Sequence, residues 1–540
     1  MFQQPEENLL AVCSFGLWPS GLIFSADSFR LKPAMNLSLI LSQHAHNTPD
    51  RPALITRQGT TTYLQLEQMS DSMAVQLRKL GVQQSTRVLV LIPIGPELYA
   101  TLAALWKLGA VAVIVDPGAG TANFRHGAKA TQPEVFVGIP KAHLLRLLSP
   151  ELRQVRKHLV TSGWLPFTTP WIQQKVDAVA ALDLPADAPA LITFTSGSTA
   201  RPKAASRSHA FLLAQNQALQ HTLQLEPDGT HLCTLAVVTL TVLAAGGTAL
   251  IPDAKLARPG FIDPEPVLKQ LNSHPALTVA ASPAFVERLA ENGMLPFKRI
   301  YVGGAPVFPY QLELFTKQSQ AEVYSVYGST EAEPIAEQAY AEIKEADFAQ
   351  MRTGKGLLAG LPVEEIQLKI LPDQHGQLFP YQTRQAFEAA ALPSLRTGEI
   401  VVTGGHVLKS YLDPAGNKET KWMDETGTTW HRTGDAGYLD QQGRLWLLGR
   451  CSAKVQDSKG TLYPFSVEVA AQHHTAVKRA ALTAQDGKRV LWVQWKDPED
   501  LSGLKKMLEW ASLDDIRSIA KIPLDRRHNA KVDYTRLNHK

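Results

Sequence analysis

Arg87-Val-Leu-Val-Leu-Ile-Pro93, Glu97 to Lys107 and Ala110-Val-Ala-Val-Ile-Val115 are three consecutive stretches with different periodicities. The first is an unbroken apolar run between a charged residue and a proline, which predicts a strand buried on both faces. The second spaces Leu98, Leu102, Leu105 and Trp106 as one face of a helix. The third is again apolar and runs into the turn signal Asp116-Pro117-Gly118. Strand, helix, strand in this order predicts a parallel βαβ unit. The same grammar recurs at 186–215 and at 277–310. In the latter, Leu277-Thr-Val-Ala-Ala281 leads into a helix from about Pro283, and Ile300-Tyr-Val302 meets Gly303-Gly304. The expected fold class is therefore α/β, with a large domain of βαβ units over 35–448. Near Gly449-Arg450 the character changes to short strands (Val490-Leu-Trp-Val-Gln494) and one amphipathic helix around Leu501–Leu513. A small α+β domain is expected over 449–540.

The 540 residues exceed what one hydrophobic core holds, which agrees with at least two domains. Hydrophobic residues make up 44% and charged residues 19%, a globular composition that excludes disorder as the main state. A net charge of +4 without a dense Lys/Arg block gives no sign of a nucleic-acid partner. Cys13, Cys233 and Cys451 lie too far apart in sequence to suggest a disulfide framework or a zinc site, and a reducing cytoplasm fits. Leu9 to Phe24 is apolar but lacks a basic flank and is interrupted by Pro19 and Gly21, so it reads neither as a secretory signal nor as a membrane span. Residues 1–34 are expected to be a poorly ordered extension, with Met35 an alternative start. No integral membrane segment is expected.

Four segments carry chemistry. Leu191-Ile-Thr-Phe-Thr195-Ser196-Gly197-Ser198-Thr199-Ala200-Arg201-Pro202-Lys203 is a strand that ends in hydroxyls, a glycine and a lysine. Such a loop presents backbone N–H groups, hydroxyl donors and one cation to a phosphate, although it lacks Walker A spacing. By itself it reads equally well as a Ser/Thr-rich surface turn. Tyr324-Ser-Val-Tyr327-Gly328-Ser329-Thr330-Glu331 sets a carboxylate at another strand end, and a carboxylate near a phosphate loop is a natural Mg²⁺ ligand. His431-Arg432-Thr433-Gly434-Asp435, followed by Gly449-Arg450, offers an Asp able to accept from ribose hydroxyls. Pro523 to Lys531 puts a lysine in a loop near the C-terminus.

Taken in this order, the four segments resemble the core motifs of the adenylate-forming superfamily of acyl-CoA synthetases, nonribosomal-peptide adenylation domains and luciferases. The resemblance runs from about Met35 to Lys531. It implies that 35–448 is the adenylating (AMP-binding) domain and 449–540 a small mobile one. It further implies that ATP and Mg²⁺ convert a carboxylic acid to an acyl-AMP with release of pyrophosphate. Thr195, Ser196, Gly197, Ser198, Thr199 and Lys203 would be the phosphate loop. Gly303, Gly304, Ala305 and Pro306 would lie along the adenine and acyl pocket. Tyr327 and Gly328 would stand by the adenine, while Ser329 and Thr330 would contact the α-phosphate and acyl carboxylate. Glu331 would bind Mg²⁺, Asp435 and Arg450 would hold the ribose, and Lys531 would bridge the acyl carboxylate and the α-phosphate region. The implied catalytic residues are Lys531, Thr330 and Glu331.

The departures narrow the choice. Ala200 and Ala204 stand where relatives have glycine, so an ordinary backbone conformation is expected there. The pivot implied between the domains is Ser452, where relatives carry Asp or Lys. Pro464 and Glu468 fit the pattern that follows. Ala236-Val-Val-Thr-Leu-Thr241 is plain apolar and reads either as a buried element or as the wall of an acyl tunnel. Val115 to Gly118, Val137-Gly-Ile-Pro-Lys-Ala-His143 and Arg527-His528-Asn529-Ala530-Lys531 look like the β-lactone synthetases of olefin biosynthesis. These adenylate a 3-hydroxy fatty acid, whose hydroxyl then displaces AMP within the molecule. A fatty acyl-CoA or acyl-carrier-protein ligase is the alternative, so the acceptor stays open between an internal hydroxyl, CoA and a carrier protein, and pathway enzymes stand beside these as partners. An amino-acid-activating domain also stays open, though no residue stands out to grip an α-amino group. A non-catalytic relative would be marked by loss of Lys203, Glu331, Asp435 or Lys531, and all four are present. Tyr63, His209, Trp430 and His528 lie near these motifs and read as packing or capping groups.

Overall fold

The structure is a computed structural model that describes residues 36–115, 120–195, 202–496, 498–525 and 531–538. The expectations for 1–34, Asp116 to Gly118, Ser196 to Thr199, Ala200 and Arg527 to Ala530 fall outside these residues.

Two large sheets organise the chain. One has the order Thr169–Pro170, Lys157–Val160, Val135–Gly138, Arg87–Leu91, Val111–Val113, Pro189–Thr195, Lys203–Ser208. It is parallel until its last pair. The other contains a parallel block of Pro52–Thr56, Thr248–Leu250, Thr230–Cys233, Thr278–Ala281, Arg299–Gly303 and Glu322–Ser329. It continues antiparallel through Ala332–Ala339, Leu357–Pro362, Leu445–Arg450, Thr429–Leu439, Gly398–Gly404 and Ile366–Leu371.

Strand alternation explains the layering. Val88 and Val90 enter the core that also takes Leu66, Met73, Leu102 and Leu105 from the helices Tyr63–Lys79 and Pro96–Lys107. Leu89 and Leu91 point the other way, into a core with Phe124 and Phe136. In the second sheet Ala280 and Tyr301 face the shared core, while Val279, Ile300 and Val302 face Phe285, Leu289 and Phe315. Strands buried on both faces are what unbroken apolar runs encode. The helix Tyr63–Lys79 starts on a capping box between Thr62 and Gln65.

Residues beyond Arg450 build cores largely of their own, around Val467, Leu482, Leu491 and Leu504 and around Trp492, Ile522 and Leu537. They support the sheet Val477–Gln485, Lys488–Trp495, Asp515–Ser518.

Three readings need correction. The segment 186–215 is not a βαβ unit: Lys203–Ser208 returns antiparallel to Pro189–Thr195 before the helix His209–Thr222 begins. Lys-Ala-Ala-Ser-Arg-Ser has no strand propensity of its own, and pairing with its neighbour makes it a strand. The helix around Leu501–Leu513 is shorter, ending at Met507 and giving way to a 3₁₀ turn, Glu509–Ala511, closed by Ser512 at φ 48°. Two further helices, Pro464–Gln472 and Tyr534–Asn538, accompany it. Ala236–Ala245 is a helix, and Ala204 is a buried strand residue that needs no glycine conformation. Among the described residues no helix is long and apolar enough to cross a membrane, and Cys233 and Cys451 are buried and free.

Candidate active site

Ligands of open α/β sheets bind beyond the carboxyl ends of the parallel strands. Arg299–Gly303 and Glu322–Ser329 are parallel neighbours that end on one such edge, and a cavity of about 640 Å³ opens there. Gly304, Ala305, Pro306, Tyr327, Gly328, Ser329, Asp435, Arg450 and Lys531 line it, so residues up to 227 apart in sequence share one wall. Gly303 is required by space, because a Cβ there would sit 2.9 Å from the Val326 carbonyl oxygen. Gly304 is required by conformation, at φ 80°.

At one end of the cavity, strand pairing sets Asp435 opposite Arg450. The Arg450 Nε lies 3.3 Å from Asp435 Oδ1, and its guanidinium donates to the Thr433 carbonyl at 3.0 Å. The Tyr327 hydroxyl donates to Asp435 Oδ2 at 2.8 Å. Burial, then the Asp435 charge, raise that hydroxyl well above its ordinary pKa, so it remains a donor. Lys531 enters on a closed loop: its N–H donates to Asp525 Oδ1 at 2.9 Å, and the Asp525 N–H donates back to the Lys531 carbonyl at 2.8 Å. Burial and the nearby Arg450 hold the Lys531 ammonium below its ordinary pKa, while Asp435, Asp525 and Glu331 oppose.

Beside the cavity lies a second group. Thr195 and Lys203 are paired across the hairpin whose connecting loop was read as the phosphate loop. The Lys203 ammonium stands 5.5 Å from the Tyr411 ring centroid and 3.6 Å from Glu419. The Tyr411 hydroxyl donates to Glu331 at 2.8 Å. Burial raises the Glu331 carboxyl, but His431, the Tyr411 hydroxyl and Lys421 outweigh it, and the net pKa is below the ordinary value. Burial and then Lys421 drive His431 down to about 3, so near neutral pH it is uncharged and Tyr411 and Lys421 carry the effect. Lys421 itself is pushed down to about 7, by burial first, with Lys203 adding to it and Glu331 opposing. Its ammonium donates to the Leu408 carbonyl and lies 5.3 Å from the Tyr411 ring centroid. The Thr330 carbonyl accepts from Arg207 at 2.6 Å, and Arg207 also donates to Thr193 at 2.6 Å.

Two hydroxyl oxygens fit an anion. Thr195 Oγ1 and Ser329 Oγ are buried without a hydrogen-bond partner among the described residues, and a buried unpaired hydroxyl is costly unless a ligand completes it. With Lys203 and Lys421 nearby, they suit a polyphosphate. The Glu331 carboxylate is a hard oxygen ligand of the kind Mg²⁺ takes alongside phosphate oxygens. Asp373, Glu399 and Cys451 also cluster, but Lys454, Tyr463 and Arg432 already pair with the two carboxylates, so that group is an ion-pair network.

The structure thus brings Thr195, Lys203, Thr330 and Glu331 together beside the cavity, sets Gly304, Ala305, Pro306, Tyr327, Gly328, Ser329, Asp435, Arg450 and Lys531 in its wall, and leaves Gly303 just behind it. Tyr411, Lys421, Arg207 and Glu333 are not among the residues read from the sequence, and His431 was read only as the start of the segment that offers Asp435. For Glu333 a signal existed: a second carboxylate two positions after Glu331 and directly before Pro334. Burial raises its carboxyl pKa, with Arg207 and Lys531 opposing. Tyr63 donates to the Leu243 and Gly247 carbonyls, His209 accepts from the Leu37 N–H, and Trp430 packs on Phe387.

Residues 41–412 match the family described as AMP-binding enzyme. Along 93% of its length the chain is 30% identical to an olefin beta-lactone synthetase of Stenotrophomonas maltophilia (strain K279a), covering 97% of that protein. Among solved structures it is similar to an amide bond synthetase from Marinactinospora thermotolerans, with a TM-score of 0.78 at 20% identity over 93% of this chain and 99% of that one. It is also similar to O-succinylbenzoate coenzyme A synthetase from Bacillus subtilis in complex with ATP and magnesium ion, with a TM-score of 0.72 at 21% identity over 93% and 98%.

Proposed function

Because the chain belongs to the AMP-binding enzyme family and is an acyl-adenylate-forming ligase, we propose that its acid is a 3-hydroxy fatty acid and that the acyl-AMP closes to a β-lactone. The observation that carries this reading is the likeness, along nearly the whole chain, to a protein named for that product. The site supports it with a cavity in which Lys531, Asp435, Arg450 and Ser329 share one wall.

In adenylation the carboxylate oxygen attacks the α-phosphorus of ATP and pyrophosphate leaves with the bonding electron pair. Two anions approach each other, so the catalyst must position them and neutralise charge. We assign Asp435 and Arg450 to the ribose and Tyr327 and Gly304 to Pro306 to the base. Thr195, Lys203 and the residues between them, with Lys421, take the phosphates, and Ser329, Thr330 and Lys531 the reacting groups. Mg²⁺ held at Glu331 would neutralise phosphate charge when bound. In the second step the 3-hydroxyl oxygen bonds to the acyl carbon, the acyl–phosphate bond breaks and AMP leaves with its electrons, while the hydroxyl proton goes to solvent. High effective molarity makes a second nucleophile unnecessary. We place the division between the adenylating domain and a mobile smaller one at 448/449.

The second reading is thioester formation with CoA, favoured by the likeness to a coenzyme A synthetase. Mass spectrometry of products from ATP, Mg²⁺, CoA and a panel of plain and 3-hydroxy fatty acids separates the two. A β-lactone plus AMP, formed only from 3-hydroxy acids and indifferent to CoA, is expected. Acyl-CoA from plain fatty acids would replace this reading with the ligase.

A further inference from the structure

The loop that follows the strand Lys157–Val160 holds two aromatic rings out to solvent. Leu165, Pro166, Phe167 and Thr168 form a turn closed by the Thr168 N–H on the Leu165 carbonyl at 3.3 Å. Proline fixes φ near about −65° at the second position, and Phe167 at the third takes φ 60°, so the turn is of type II. Glycine ordinarily fills that third position, and a bulky side chain is strained there. Burial does not offset the strain, because Phe167 is 93% exposed and Trp164, three residues earlier, is 70% exposed. Single exposed apolar residues are ordinary. A phenylalanine held outward at a glycine position is not.

The surroundings of the loop are basic. Between positions 139 and 175 the sequence has six Lys or Arg and one acid, whereas all 540 residues together carry a net charge of only +4. That acid, Glu151, is paired with Arg125 at 3.0 Å. Lys141, Arg153 and Arg156 are exposed, and so are Leu144 and Ile172. Hydrogen bonds bring these stretches to one place. The Thr161 N–H, where the aromatic loop begins, donates to the Gly138 carbonyl at 3.0 Å. The imidazole of His143, on the short helix Pro140–His143, donates to the Leu159 carbonyl at 3.1 Å. The Trp171 N–H donates to the Val160 carbonyl at 2.8 Å, so Ile172 leaves the same end of the sheet as the loop. Arg156 lies at the other end of a strand of four residues, about 10 Å away.

A bilayer needs no matching pocket. Trp and Phe settle at the depth of the lipid headgroups, and Lys and Arg beside them are drawn to anionic lipid. A nucleic acid would use the cations and stack on a ring, but it would leave Leu144 and Ile172 bare. We propose that this face docks on an anionic lipid surface, with Trp164 and Phe167 among the headgroups and Lys141, Arg153 and Arg156 on the lipid phosphates. Thr195 ends a parallel strand at the same end of the same sheet, four strands away. At about 4.8 Å per strand the docked face lies roughly 20 Å from it. The docking does not depend on which acid the site takes.

Flotation of the full chain with vesicles tests this. Phosphatidylcholine vesicles are compared with vesicles in which about a third of the lipid is phosphatidylglycerol. The chain is expected to bind the anionic vesicles at least about tenfold more tightly, and to be released by salt. Each cation near such a surface contributes about fivefold, so Lys141→Glu with Arg156→Glu should weaken binding by at least about 25-fold. Trp164→Ser should weaken it by about tenfold through the lost ring. Phe167→Gly separates docking from folding. Glycine suits the left-handed turn, so the melting temperature should hold or rise while vesicle affinity falls by about tenfold. Absence of flotation with the anionic vesicles overturns the proposal. Flotation that the charge variant and Phe167→Gly leave unchanged overturns it by placing the contact elsewhere. A lowered melting temperature in Phe167→Gly assigns the ring to the fold and overturns its role. A polyuridine RNA bound through the same residues, without flotation, makes the face a nucleic-acid surface and overturns the proposal as well.

Discussion

Lys531 illustrates how one side chain carries a prediction that its sequence context alone cannot. It reaches the cavity on a loop that Asp525 closes around it, and there its ammonium feels the charges of Arg450, Asp435 and Glu331. A cation whose pKa is held down by burial is poorly hydrated, and it interacts strongly with the charge that develops between carboxylate and α-phosphate. Lys531→Ala is therefore expected to cost about 3–4 kcal/mol, or 10²–10³ in kcat, by analogy with removal of an oxyanion donor. Acid-dependent AMP formation measures this, with the melting temperature as the control for folding. Full activity in the variant would remove Lys531 from the reaction. The residues legible in advance were those inside short motifs: Glu331, Asp435, Arg450 and Lys531. Arg207, Tyr411 and Lys421 were not, because their proximity to the site comes from sheet pairing and from a loop that folds back over it. No local pattern marks such residues.

At the scale of elements, the helix Pro464–Gln472 holds the piece that carries Lys531, and it does so through a buried acid. Glu468 accepts from the Leu482 N–H at 2.9 Å and from the Tyr534 hydroxyl at 2.8 Å, tying the helix to the strand Val477–Gln485 and to the helix Tyr534–Asn538 just after Lys531. Burial pushes its carboxyl up to about 7 from an ordinary 4.5. Between those values the folded chain holds a proton that the unfolded chain releases, so stability falls as pH rises from 4.5 to about 7 and levels off above it. At 1.36 kcal/mol per tenfold change in proton affinity, the loss is roughly 3 kcal/mol. Melting temperatures at pH 5 and 7.5 should fall less in Glu468→Gln, which keeps an acceptor and cannot ionise. Equal slopes in the two proteins would contradict this. Elements buried on both faces, such as Arg87–Leu91 and Thr278–Ala281, were legible because period and composition agree. Lys203–Ser208 and the break after Met507 were not. The first is a strand only by pairing, and the second ends at a serine in a left-handed conformation that carries no turn signature.

At the scale of the molecule, the part beyond Arg450 is set in one orientation by contacts that straddle the implied pivot at Ser452. The Lys454 ammonium lies 2.9 Å from the Asp373 carboxylate, and the Tyr463 hydroxyl donates to the same carboxylate at 2.7 Å. Trp510 lies against Gly354 so closely that a Cβ there would come within 2.2 Å of the ring, and Val469 enters the core of the preceding domain. The Asp373 carboxylate takes both Lys454 and Tyr463, so it acts as a latch. Under the proposed ring closure on an internal hydroxyl no second substrate requires this part to swing aside, and a latch of this kind suits that reading. Removing one partner of a mostly buried pair costs roughly 3 kcal/mol, enough to change the balance between two orientations by about 100-fold. In Asp373→Ala, tryptic cleavage at Lys454 and Lys459 should accelerate by at least about tenfold, and kcat for adenylation should fall because Lys531 is in place less of the time. Tyr463→Phe, which removes only the hydroxyl, should move both quantities the same way by less. If the orientation is instead fixed by Trp510 and Val469, Asp373→Ala leaves both rates where they are. If the enzyme turns about Ser452 to take up CoA, the same variant speeds thioester formation while slowing adenylation, and the latch becomes the element that times the two steps.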